Sequence, residues 1–262
     1  MTKSLMNGLA VLSLGALALA CPLTSIAAVS AKSMKKAQTA NHSTSGAMAA
    51  TKEALAFPLE ERVANLKALG DVGYQSLAKL MFDKSATMEE RWKAVTAAGR
   101  VGGEKSRPEL ERALHASEWF MRNAALVAMM QLDHETGLSW ARQLLNDKAL
   151  VVRAAAVDVI DGARDAQSTQ LLWTKLYAKE NYKRGQSLFI RRRIVEALAD
   201  METSGRESKF IALLGDKDSS LHAPAISALE RLTRHSIGSG SEPTKVRKAA
   251  WEKWWNESQA RR

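Results

Sequence analysis

Six positions in register constrain this chain more than any other feature. Arg62, Arg91, Arg122, Arg153 and Arg191, with His222 in sixth place, are separated by 29, 31, 31, 38 and 31 residues. Four and seven residues after each anchor stand Leu66/Leu69, Val95/Ala98, Leu126/Met129, Val157/Ile160, Val195/Leu198 and Ile226/Leu229. Those offsets lie on one face of a helix. A second apolar pair precedes the anchor: Ala113/Leu114, Leu144/Leu145 and Leu213/Leu214, with Leu80/Met81 ahead of a longer turn. Each unit therefore predicts a two-helix hairpin whose apolar face is buried only by stacking on the next copy.

Composition fits an all-helical reading. Only 15 Gly and 5 Pro occur in 262 residues, and the abundant Ala and Leu are strong helix formers. The first 31 residues stand apart, with Lys3 the one charge before Lys32. A basic start, an apolar run and small residues near its end read as an export signal, with cleavage after Ala31 or after Ala27. Two alternatives are a lipoprotein acylated at Cys21 and an uncleaved membrane anchor, the apolar run being long enough to span a bilayer. The expected location is thus exported, in the periplasm. Residues 32–52 are basic, rich in Ser, Thr and Ala, and without apolar period, so 32–56 reads as a linker with room for a first helix. The array is expected over 57–236, and 237–262 as a Gly-containing loop with a final helix.

The pattern Leu-x-Asp, then Val-Arg-x-x-Ala and an apolar residue, is best seen from Leu145 and Asp147 to Val152, Arg153 and Ile160. Leu214, Asp216, Leu221 and His222 repeat it with His in the Arg place. Here the chain resembles the HEAT-repeat family, in particular bacterial HEAT-like arrays. The resemblance implies a right-handed α-solenoid of about five to six hairpins, in which Asp147, Arg153, Arg122, Arg191, Asp216 and His222 form an inter-repeat ladder rather than a catalytic pair. Ala116, where an Asp would precede Arg122, and His222 itself imply gaps in that ladder. After the array, Trp251, Trp254 and Trp255 share one broad helical face with Val246 and Ala250. They read as a cap closing the open end, with an aromatic ligand platform as the sharper alternative.

A search for chemistry finds no catalytic residue, metal site or cofactor motif. None of the 5 His has a partner at metal spacing, and no Gly-rich phosphate loop follows a strand. The resemblance implies that the second helices line the concave face, where offsets of two, five and nine residues from the anchor give five cations and four anions around a small, nearly uncharged middle. That is not the basic stripe a phosphate backbone needs, which with the export signal counts against nucleic acid.

The net charge of +10 gathers elsewhere. One cluster is the insertion over 177–193 in the longest repeat, with Lys179, Lys183, Arg184, Arg192 and Arg193 as candidate partner contacts. Trp140, one position off its helix's apolar stripe, is another candidate, whereas Trp173, Trp119 and Trp92 read as packing residues. The expected function is a non-enzymatic scaffold or adaptor binding a protein or peptide of the cell envelope. The alternatives are a binder of an acidic polymer, envelope glycan or anionic membrane surface, and a HEAT-like enzyme of the lyase or glycosylase type. The repeat pattern says nothing of oligomeric state.

Overall fold

The computed structural model describes residues 44–261, so the leader, its cleavage sites and Cys21 lie outside the described residues. The helices are α1 (Thr44–Leu55), α2 (Leu59–Ala68), α3 (Gly70–Phe82), α4 (Met88–Gly102), α5 (Arg107–Leu114), α6 (Trp119–Leu132) and α7 (His134–Leu144). They continue as α8 (Leu150–Gly162), α9 (Thr169–Leu176), α10 (Ile190–Met201), α11 (Glu207–Leu214), α12 (His222–Thr233) and α13 (Thr244–Ala260). Between α9 and α10 lies a two-stranded antiparallel hairpin of β1 (Tyr182–Lys183) and β2 (Gln186–Ser187).

Consecutive pairs from α1/α2 to α11/α12 are hairpins of a first (A) and second (B) helix, stacked into an all-α solenoid. Every B helix packs on the next B helix, and one continuous apolar core runs from Ala54 to Trp251. The predicted stripes form it: Leu66, Val95, Ala98, Leu126, Met129, Val157, Ile160, Val195, Leu198, Ile226 and Leu229 are all buried. The helices start where local chemistry stops the preceding turn. Thr87 and Glu90 make a capping box on α4, in which Thr87 Oγ1 accepts from the Glu90 amide at 3.1 Å and Glu90 Oε2 from the Thr87 amide at 2.8 Å. Small residues let α4 and α6 approach closely. A Cβ on Gly99 would stand 3.0 Å from the Ala128 carbonyl oxygen, so a larger residue there would push the helices apart.

Within 32–56, where the sequence left room for a first helix, stands α1, which buries Ala47, Thr51, Ala54 and Leu55. These recur at helical spacing, but Ala and Thr are too weakly apolar to stand out as a stripe. Trp119 and Trp92 are not packing residues: they are 46% and 41% exposed. Each sits beside a buried position of its helix but on the outer side of the stripe. Trp173 is buried, as read.

Candidate functional site

The anchors sit at the start of the B helices, where their guanidiniums reach across two turns. Arg122 donates to Asp147 through Nε and Nη2, both at 2.6 Å, and to the carbonyls of Ala116 and Ser117 at 2.8 and 2.9 Å. Arg191 pairs with Asp216 at 2.6 Å and donates to the Leu176 carbonyl at 3.0 Å. The ladder is therefore directional. Asp147 does not hold its own repeat's Arg153 by its carboxylate; it takes the Arg of the repeat before, while Arg153 donates to the Asp147 carbonyl at 2.8 Å. His222 Nε2 lies 2.9 Å from the Asp216 carbonyl, the same backbone position relative to its repeat.

The expected gap at Ala116 is filled. Glu118, two residues later, accepts from Arg91 at 3.0 Å. Arg153, with no Asp in the turn of the following repeat, donates to Asn181 Oδ1 at 3.1 Å and to the Glu180 carbonyl at 2.7 Å. Buried Arg and Asp survive there because bidentate pairing and carbonyl acceptors satisfy them. Burial alone would push the Asp147 and Asp216 carboxyls up, but the hydrogen bonds from Arg122 and Arg191 bring both below the ordinary range. The Ser117 hydroxyl, then Arg91, hold Glu118 down at about 2.

The opposite edge, where B helices turn into the next A helix, carries a second set of fastenings. Asp133 takes Arg107 at 3.1 Å and caps α7 by accepting from the Thr136 amide at 3.2 Å. Asp165 takes Arg142 at 2.7 Å, and Glu202 accepts from Trp173 Nε1 at 2.6 Å. The signal was present: these carboxylates stand 11, 12 and 11 residues after Arg122, Arg153 and Arg191.

The insertion is ordered by the array it interrupts. Arg184 and Gly185 both have positive φ, 52° and 78°, which makes the two-residue loop a type I′ turn suited to a hairpin's twist. Tyr182 packs over the Arg191 guanidinium at 4.7 Å, and buried Asn181 supplies a ladder rung. At the tip, Lys183 and Arg184, with Lys179 at the base, are exposed and have no ion-pair partner among the described residues. Arg192 and Arg193 differ: they pair with Glu196 at 2.8 Å and with Asp158 on α8 at 2.6 Å. Trp140 is half-buried and stands edge-on to His115 at 5.1 Å.

On the outward ridge of the B helices most charges are occupied, Lys67 being the exception among the described residues. Glu60 pairs with Arg100, Asp158 with Arg193, and Arg231 donates to the carbonyls of Ala199 and Glu202. Trp251 of the final helix is fully buried, stacks edge-on with Trp254 at 5.3 Å, and Trp254 contacts His235 at 4.9 Å. Trp255 is half-buried.

What remains open is the edge on which A helices turn into B helices. Among the described residues nine large apolar side chains are exposed, and six of them lie here: Phe57, Met88, Trp119, Val151, Tyr177 and Phe189. Met88, Trp119 and Ala149, from three successive repeats, line one depression together with Ser117, Glu118 and Lys148.

Residues 74–161 match the family model for HEAT repeats. Among solved structures, the chain is similar to the crystal structure of an engineered protein, with 16% identity and a TM-score of 0.45, covering 78% of this chain and 96% of that one. No curated protein matches the chain.

Proposed function

We propose that the protein is a non-enzymatic scaffold of the cell envelope that binds a protein or peptide partner along its array. One observation carries the reading. Six of the nine large apolar side chains exposed among the described residues, in the successive A-to-B connections of five hairpins, fall on one edge of the fold. Water-exposed apolar side chains aligned across several repeats are a cost to solubility that a partner would remove. A stack of hairpins supplies a long rigid support for such contacts. The export signal read in residues 1–31 supports the envelope as its location.

The test is capture from the envelope fraction with the tagged full chain, as isolated from cells, beside a Met88→Asp/Trp119→Asp variant. A discrete partner held by the first and released by the second is the expected result. Equal capture by both, or none by either, would sink the reading. Lys179, Lys183 and Arg184 support a second reading, in which the insertion holds an acidic polymer, an envelope glycan or an anionic membrane surface. Binding that needs those three cations, vanishes in salt and ignores Met88 and Trp119 would favour it.

A further inference from the structure

The chemistry of the exposed edge specifies more than the presence of a partner. We infer that the A-to-B edge docks an extended, acidic polypeptide segment carrying an apolar side chain at about every third residue, an inference that rests on the scaffold reading.

Charge selects the sign. The turns of this edge carry Lys84, Lys148, Lys183, Arg184 and Lys217, all exposed and without an ion-pair partner among the described residues. Their acidic neighbours are occupied. Asp147 and Asp216, each directly before one of these lysines, turn inward onto Arg122 and Arg191. Glu118 is held by Arg91, Glu90 by Lys52, and Asp83 by the Ser85 amide and hydroxyl. At Asp147-Lys148 and Asp216-Lys217 the ladder thus takes the carboxylate out of the turn and leaves the ammonium group facing water. A stretch that is nearly neutral in sequence becomes positive at its surface.

Geometry selects an extended segment. Stacked helices stand about 8–10 Å apart, and an extended chain rises about 3.2–3.4 Å per residue. One apolar contact per repeat, at Met88, Trp119, Val151 and Phe189, therefore matches one apolar residue in about three on the partner. The depression between Met88, Trp119 and Ala149 favours a polypeptide over a lipid surface, since an inserted side chain fills a hollow that the plane of a bilayer bridges. Lys148 lines the same depression, so an acidic residue beside the inserted one finds its counter-charge there.

The experiment uses the full chain and a short fluorescein-labelled synthetic peptide of repeating Leu-Asp-Glu triplets, followed by anisotropy at low and high salt. Controls are peptides of Leu-Lys-Lys and Ser-Asp-Glu triplets, and vesicles containing phosphatidylglycerol. The expected result is binding of Leu-Asp-Glu alone, weakened at least ~10-fold by Lys84→Glu/Lys148→Glu and again by Trp119→Ser, and reduced by salt. Val127→Ser, an exposed change in the middle of α6, should leave it unmoved. Equal binding of the basic peptide, indifference to the edge substitutions, or edge-dependent binding of vesicles in place of the peptide would each overturn the inference. Envelope capture that survives the Lys→Glu pair would sink this inference and leave the scaffold reading standing. Absence of any capture, with the peptide still bound at the edge, would do the reverse.

Discussion

The two edges of the solenoid are built from the same kinds of residue and finished in opposite ways. Where B helices turn into A helices, Asp133, Asp165 and Glu202 reach Arg107, Arg142 and Trp173, and the carboxylates are spent on joining neighbours. Where A helices turn into B helices, the ladder does the same with Glu118, Asp147 and Asp216. Among the described residues, only this second edge adds an exposed layer, with Met88, Trp119, Val151 and Phe189 standing outside the rungs and the turn lysines between them. Fastening needs no such layer, as the first edge demonstrates. Stability and recognition are thus separable on this molecule, and substitutions can test the separation.

The largest effect should come from a ladder guanidinium. Arg122→Leu leaves the Asp147 carboxylate, buried to the same 6% side-chain exposure as its partner, without a counter-charge. The expected loss is about 3–5 kcal/mol, measured as the shift in the chemical unfolding midpoint at neutral pH. On the other edge, Glu202→Ala removes the acceptor of the buried Trp173 indole N–H, and about 1–3 kcal/mol should follow. A greater loss from Glu202 than from Arg122 would reverse the ranking of the edges.

Acid should act on both edges together. Glu118 on the ladder edge is lowered from 4.5 to about 2, by Ser117 and then Arg91. Asp133 on the other is lowered from 3.8 to about 2, by Thr136 and then Arg107. A carboxyl with a depressed folded-state pKa contributes stability that is complete above its unfolded value and lost as pH falls through its folded value. Melting temperature should therefore hold above about pH 5 and fall between about pH 4 and 2. Both side chains are about a third exposed, so solvent screening keeps each share small. In the double variant Glu118→Gln/Asp133→Asn the acid-side slope should flatten; an unchanged slope would assign it to other groups.

The register of the array was legible because a buried Arg and two apolar neighbours repeat at a spacing that few folds tolerate. The rungs were less legible because a guanidinium reaches several places. Its acceptor stands six residues before the next anchor at Asp147 and Asp216, but four before at Glu118 and ten before at Asn181. The resemblance supplied the idea of a ladder, and geometry alone showed which repeat each carboxylate serves. The basic insertion was visible as a break in spacing, although Arg192 and Arg193 proved to be occupied by Glu196 and Asp158. The exposed edge was missed for a simple reason. A Trp or Met in the first turn of an apolar helix has the composition of a core residue, and one position decides which side of the stripe it falls on.

That single position makes the smallest predicted effect the most discriminating. Trp119 and Phe120 are successive residues of α6, 46% and 7% exposed. Phe120 also lies beneath the Arg91 guanidinium, 5.2 Å from its ring centre. Phe120→Ala should cost about 3 kcal/mol, because it opens a cavity in the core. Met88→Ser/Trp119→Ser removes far more water-exposed apolar surface and should change stability by no more than about 0.5 kcal/mol, because that surface is largely unburied in the folded chain as well. The check is a pair of thermal melts beside the peptide titration. If the Ser pair melts with the wild-type chain and has lost the acidic peptide, the exposed layer serves a partner. If it melts several degrees lower, Met88 and Trp119 are fastenings after all, and the two edges differ only in which side chains do the fastening.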